Sequence, residues 1–196
     1  IPHPRLKERL KEVLSDGRLL GLLEGWLEQD IVQELRRWTP TGGTPQGAVI
    51  SPLLANLYLH SLDERMAELG LEMVRYADDF VILCPTAEQA EGALAEVKAW
   101  VEANGLTLHP EKTHVGNCCI EGQGFEFLGY RFEAGKRQVR KKSLNALKDK
   151  IRDKTRRTRG QSLRQIIAVL NPMLKGWFGY FKHAHRWVFP ALDGFI

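Results

Sequence analysis

Two consecutive carboxylates, Asp78 and Asp79, are the residues of this chain best suited to chemistry. They end the stretch Tyr76-Ala77-Asp78-Asp79 and stand between two apolar runs, residues 71–76 and 80–83. Each run reads as a short buried strand, so the acidic pair is expected in the tight turn of a hairpin. Neighbouring carboxylates repel, and a site that holds them close calls for a cation between them. Mg²⁺ suits the position, because it takes one or two carboxylates and completes its shell with water and phosphate oxygens. Two such ions, about 3.5–4 Å apart, clamp the attacking and leaving oxygens of a phosphoryl transfer. Asp is also common in plain turns, and the dipeptide by itself fits that role as well.

A second segment with chemical potential lies about thirty residues upstream, Thr44-Pro45-Gln46-Gly47 followed by Ile50-Ser51-Pro52-Leu53-Leu54-Ala55-Asn56. Gly42, Gly43 and Gly47 allow backbone to approach a ligand closely. Gln46 offers a donor and an acceptor, as a base edge requires. Ser51 at a helix start places backbone N–H groups where a phosphate can meet them. An ordinary helix-entry loop would carry many of the same residues.

The elements that must position these groups follow from periodicity and punctuation. A helix is expected from Pro4 to Leu14, with Leu6, Leu10, Val13 and Leu14 on one face. A second runs from Arg18 to Gln33, with Leu19, Leu22, Leu23, Trp26, Leu27 and Ile31 at helical spacing. A third starts near Ser51-Pro52 and turns Leu53, Leu54, Leu57, Tyr58 and Leu62 to a core. After the acidic hairpin, a helix from Ala87 to Ala103 is capped by Thr86 with Gln89 three residues on, and stopped by Asn104-Gly105. Short strands are expected at 106–108, 113–115, 125–132 and 138–140. From Ser143 the pattern is helical to the end, broken at Arg159-Gly160-Gln161. The fold class is therefore α+β: a small antiparallel sheet packed by helices over residues 1–141, then an all-helical part over 142–196.

Composition supports two functional regions. Residues 1–130 hold 11 Lys or Arg against 20 Asp or Glu, whereas residues 131–164 hold 14 basic side chains against three acidic ones. A basic segment this dense has a polyanion as its natural partner. Its candidate nucleic-acid contacts are Arg140, Lys141, Lys142, Lys148, Arg152, Arg156, Arg157 and Arg159. No apolar run approaches the roughly 20 residues of a membrane span, so no membrane partner is expected. Cys84, Cys118 and Cys119 suit neither a disulfide framework nor a zinc site; they read as reduced, buried or half-buried thiols in a cytoplasmic setting. His183-Ala184-His185 lacks further ligands at metal spacing.

The acidic hairpin and the upstream loop, in this order and spacing, resemble the palm of reverse transcriptases, and more closely the RNA-directed DNA polymerases of bacterial group II introns. The resemblance implies that residues 44–56 line the nucleotide and template pocket, with Pro45, Gln46, Gly47, Tyr76 and Ala77 at the substrate. It makes Asp78 and Asp79 ligands of two Mg²⁺ ions, with Asp78 the main one. The stretch Leu106-Thr107-Leu108-His109-Pro110-Glu111-Lys112-Thr113 resembles the family segment in which a Lys lies near the incoming triphosphate, and Lys112 is the match. Phe125-Glu126-Phe127-Leu128-Gly129-Tyr130 resembles the strand pair that grips the primer end, with Gly129 allowing close approach of nucleic acid. The stretch 170–181, Leu-Asn-Pro-Met-Leu-Lys-Gly-Trp-Phe-Gly-Tyr-Phe, looks like a helix of the intron-maturase thumb, or X domain. Its aromatics Trp177, Tyr180 and Phe181 have the spacing of core packing.

Implied partners are an RNA template, a DNA primer, deoxynucleoside triphosphates and group II intron RNA. Ala48 departs from the family, which usually has a second Gly there. The family's first catalytic Asp and its fingers would lie upstream of Ile1-Pro2-His3, and the thumb would continue past Ile196; the chain reads as a fragment, inactive alone. A maturase that binds RNA without polymerising, or a retron, diversity-generating or CRISPR-linked reverse transcriptase, are the alternative settings.

Overall fold

Helix starts follow the local chemistry closely. In the computed structural model, α1 (His3–Val13) has Pro4 in its first turn and buries Leu6 and Leu10. Helix α2 (Gly17–Leu27) starts on Asp16, whose carboxylate accepts the N–H groups of Arg18 and Leu19 at 2.8 and 3.3 Å. The structure describes residues 1–33, 36–40, 42–43 and 48–196, the side chains of 31–33, 36 and 159 excepted.

The second helix was expected to reach Gln33, but it ends at Leu27. Residues beyond it form β1 (Ile31–Gln33), paired antiparallel with β2 (Arg36–Trp38). Two β-branched residues in a row, Ile31 and Val32, favour a strand. The Asp30 carboxylate accepts from Arg37 Nε and Thr39 Oγ1, both at 2.5 Å, and so draws the chain back on itself.

Helix α3 (Ser51–Glu68) is the centre of the first part. It buries Leu54, Tyr58, Leu59, Leu62 and Met66. Leu53, expected in the core, is 65% exposed, because it lies off the stripe that these five residues define. Strands β3 (Glu72–Tyr76) and β4 (Asp79–Leu83) form a hairpin, followed by α4 (Ala87–Ala103). Thr86 Oγ1 accepts the Gln89 N–H at 3.2 Å, capping α4 as expected. The strands are not buried on both sides. Met73, Phe80 and Ile82 pack on Leu62 and Met66 of α3 and on Val97 and Val101 of α4. Val74 and Leu83 point the other way and are largely exposed. A second cluster joins Leu6, Leu10, Leu23 and Leu27 to Leu54 and Tyr58.

Residues 106–108 and 113–115 form no strand; the chain instead turns at His109, whose carbonyl accepts the N–H groups of Lys112 and Thr113. The expected strand at 125–132 is two strands, β5 (Phe125–Phe127) and β6 (Tyr130–Glu133), joined through Leu128-Gly129. Strand β7 (Lys136–Val139) completes this three-stranded antiparallel sheet. The described strands thus make three small sheets rather than one. Helices α5 (Lys141–Lys154), α6 (Leu163–Phe181) and α7 (Val188–Asp193) follow. Ser162 and Gln165 close a full capping box at the start of α6, and Pro172 lies inside that helix.

Two compact units result, residues 1–115 and 116–196. This division lies upstream of the boundary expected near 141–143. The three-stranded sheet shares a core with the C-terminal helices: the Tyr130 ring lies 5.0 Å from Phe181, and Val139 clusters with Phe181 and Ala184. A separate cluster of Leu147, Ile151, Leu170 and Leu192 holds the helices together. Cys84 and Cys118 are half-buried free thiols, while Cys119 is exposed, contrary to expectation. No described helix is long and apolar enough to cross a membrane.

Candidate active site

Pairing of Tyr76 with Asp79 leaves a loop of two residues, Ala77 and Asp78. Only Asp78 therefore lies in the turn proper, whereas Asp79 opens β4. The turn requires an unusual backbone. Ala77 has φ +55°, one of three positive values among the described non-glycine residues. Asp78 is not among them, and positive φ at the first loop residue alone is the type II′ pattern, which favours Gly there. Both carboxylates are exposed, and neither has a hydrogen bond or ion pair among the described residues. Directly opposed residues share a face of the sheet, so Asp79 stands beside the exposed Tyr76 ring.

Arg75 ties this turn to α3. Its Nη1 donates to the Ala77 carbonyl at 2.9 Å and to Asn56 Oδ1 at 3.0 Å. Nε donates to Asp63 Oδ1 at 2.7 Å, and Nη2 donates to Asp63 Oδ2. The hydrogen bonds that the guanidinium donates to Asp63 hold it above its ordinary pKa, against the opposing effect of partial burial. The Arg75 side chain is only 12% exposed. Sequence reasoning overlooked this residue. The signal was its parity: Arg75 is in phase with Met73 on the inward face of β3, where a charge must find a partner.

Two adjacent carboxylates with no cationic partner among the described residues are hard oxygen donors, and they fit a divalent metal ion of the Mg²⁺ kind. No group of three or more His, Cys, Asp and Glu residues assembles among the described residues. The pair thus supplies part of a coordination shell, the remainder being open to water, phosphate oxygens or another segment.

The other expected site residues distribute as follows. Pro45, Gln46 and Gly47 lie outside the described residues. Lys112 belongs to the same unit as Asp78 and Asp79, exposed on the turn at His109, with no ion pair among the described residues. Gly129 is in the other unit, and it sits in a tight place. Its φ is +81°, and a β-carbon there would lie 3.3 Å from both the Phe181 ring and the Ser143 hydroxyl. The close approach that its bare backbone permits in this structure is to its own protein.

Of the basic residues, Lys141, Lys142, Arg156 and Arg157 are exposed. Helix α5 faces its core through Leu147 and Ile151 and carries cations on the rest of its surface. Lys148 and Arg152 lie over the Phe195 ring at 5.2 and 5.1 Å, and Arg152 also pairs with Asp149 at 2.9 Å. Arg156 approaches Asp153 at 4.0 Å. Arg140 is half-buried and leans on Glu126 at 3.5 Å. The Arg159 side chain lies outside the described residues.

Small antiparallel sheets packed by helices, with an exposed carboxylate pair on one hairpin and a basic helical region in the same chain, are consistent with a polymerase palm plus a helical domain. Residues 1–132 match the reverse transcriptase (RNA-dependent DNA polymerase) family, and the chain belongs to it. Residues 144–196 match the group II intron maturase-specific domain. Among curated relatives, an uncharacterised 91 kDa protein in a cob intron of Schizosaccharomyces pombe is 24% identical over 95% of this chain and 33% of its own length. The group II intron-encoded protein LtrA of Lactococcus lactis subsp. cremoris is 32% identical over 38% of this chain and 12% of its own length. A retron Mx162 reverse transcriptase of Myxococcus xanthus is 35% identical over 36% of this chain and 18% of its own length. The chain thus spans a third or less of each of these proteins.

Proposed function

We propose that this chain supplies the carboxylate-bearing palm and the helical thumb of an RNA-directed DNA polymerase of the group II intron type. Residues 1–141 serve as palm and 142–196 as thumb in this reading. The observation that carries it is the pair Asp78 and Asp79, exposed and without a hydrogen bond or ion pair among the described residues, on a strained, helix-backed turn. Two bound Mg²⁺ ions would supply charge neutralisation at the attacking and leaving oxygens of nucleotidyl transfer. Asp78 is the main ligand and Asp79 the supporting one. Pro45, Gln46 and Gly47 shape the pocket for the deoxynucleoside triphosphate opposite the RNA template, with Tyr76 and Ala77 beside it. Lys112 offers positive charge, or a proton, to the departing pyrophosphate. Gly129 and its hairpin support the DNA primer end.

The basic residues of the second unit hold phosphate. Lys141, Lys142, Lys148, Arg152, Arg156, Arg157 and Arg159, with Arg140 at the helix start, neutralise template–primer duplex and group II intron RNA. Binding of this kind releases counterions and weakens steeply with salt. The match of residues 144–196 to the maturase-specific domain supports the intron RNA as a partner.

The test is primer extension on an RNA template by the parent polymerase that contains this region. Asp78→Asn keeps the size of the side chain and removes its charge. It is expected to lower the extension rate by about a thousandfold, the scale of losing a main electrostatic group of an active site. An extension rate unchanged by Asp78→Asn ends the proposal.

A further inference from the structure

The carboxylate turn has a problem that its own residues do not solve. Ala77 occupies a left-handed backbone conformation without being glycine. Such residues persist only where the surroundings hold them. The turn also carries two like charges on successive residues, which favours any motion that separates them. What holds the turn must therefore act on the backbone, and it must not cancel the charge that the carboxylates offer a cation.

Arg75 meets both conditions. Its hydrogen bond falls on the Ala77 carbonyl. That carbonyl and the N–H of Asp78 belong to one planar peptide unit, so fixing the oxygen also fixes the direction in which the Asp78 Cα departs. The guanidinium is itself fixed at three further points, two on Asp63 and one on Asn56, all from α3. Its charge is matched by Asp63, in bidentate geometry, and not by Asp78 or Asp79. A rigid helix thus reaches through one side chain to a single peptide plane of the turn.

Resting on the reading of Asp78 and Asp79 as metal ligands, we infer that Arg75 is a positioning residue: clamped by Asp63 and Asn56, it sets the Ala77–Asp78 peptide so that the two carboxylates converge on a divalent cation. It touches neither metal nor substrate, and it acts through the backbone. Lys cannot replace it, because an ammonium group keeps the charge but lacks the planar fork that reaches Asp63, Asn56 and Ala77 together.

The experiment uses the 196-residue chain and Mn²⁺ as a paramagnetic probe, which broadens the amide resonances of nearby residues. Mn²⁺ is titrated while the amides of residues 76–79 are observed, and thermal midpoints are recorded in parallel. Two variants separate positioning from simple stabilisation. Arg75→Lys retains the attraction to Asp63, so its midpoint stays close to the parent. Its Mn²⁺ dissociation constant at residues 76–79 rises about tenfold, the scale of a lost charge-assisted hydrogen bond. The exchanged pair Asp63→Arg with Arg75→Asp restores opposite charges between α3 and β3. It regains stability relative to either single change, yet it leaves the Ala77 carbonyl without its donor and binds Mn²⁺ as weakly as Arg75→Lys. Parent-like Mn²⁺ affinity in either folded variant overturns the inference and leaves the metal site standing. Absence of any broadening at residues 76–79 in the parent chain removes the metal site, and the inference with it.

Discussion

The hairpins at Tyr76–Asp79 and Phe127–Tyr130 are built on one plan and answer the same difficulty differently. Each has a two-residue loop. Each places an apolar residue with positive φ first in that loop, Ala77 at +55° and Leu128 at +48°. In each, a side chain donates to the carbonyl of that residue: Arg75 Nη1 to Ala77 at 2.9 Å, and Tyr180 Oη to Leu128 at 2.8 Å. The second loop position is where they part. It is Gly129 in one hairpin, with φ +81°, and Asp78 in the other. Two positive values make the type I′ turn that Gly relieves. With Asp78 in place of glycine at the second position, the acidic turn keeps the form with a single positive φ. A clamp with four hydrogen bonds, one of them to the turn itself, stands where the second hairpin has a phenol. The difference teaches that one plan of hairpin can be secured in two ways: the acidic turn by a charged side chain anchored on α3, the other by the aromatic residues that pack around Gly129.

The comparison breaks most visibly at Gly129. Gly129→Val combines a forbidden φ with a clash against Phe181 and Ser143, and it is expected to cost about 3 kcal/mol in denaturant unfolding. A change below 1 kcal/mol, on the order of an ordinary surface substitution, would show that the loop can adopt another turn. Tyr180→Phe removes only the hydroxyl that holds Leu128. Its cost is about 1 kcal/mol, the usual worth of one hydrogen bond, and the same unfolding curve reads it. The smallest effect has the opposite sign. Ala77→Gly relieves the left-handed residue and should raise stability by about 0.5 kcal/mol, since the strain removed slightly exceeds the entropy that Gly adds to the unfolded chain. Destabilisation by Ala77→Gly would show that the methyl group packs and that strain is not what the clamp offsets.

Much of the first unit was legible because its signals are local. Thr86 and Asn104-Gly105 bound α4, Pro4 and Pro52 mark the first turns of α1 and α3, and two apolar runs around a short acidic break make a hairpin. Where a local signal competed with a pattern, the pattern misled. Ile31 has the right spacing to continue α2, but β-branched neighbours and the side-chain bonds of Asp30 turn the chain instead. Leu128-Gly129 carries the X-Gly sign of a tight hairpin, yet the aromatic residues around it read as one continuous strand. At the site, the paired carboxylates are visible in sequence because adjacent charges are rare between apolar runs. Arg75 is not, because its partners lie 12 and 19 residues away on a helix, and only the fold brings them together.

Those separations also bear on the order in which the molecule assembles. The clamp on the acidic turn closes over 2, 12 and 19 residues, whereas Tyr180 must come from 52 residues downstream to reach Leu128. Short loops close sooner and at lower entropic cost than long ones. As the chain leaves the ribosome, α3 and the β3–β4 hairpin therefore have every group of their clamp before α6 has been synthesised. The carboxylate turn is set early, and the hairpin at Gly129 waits for the last helices to arrive.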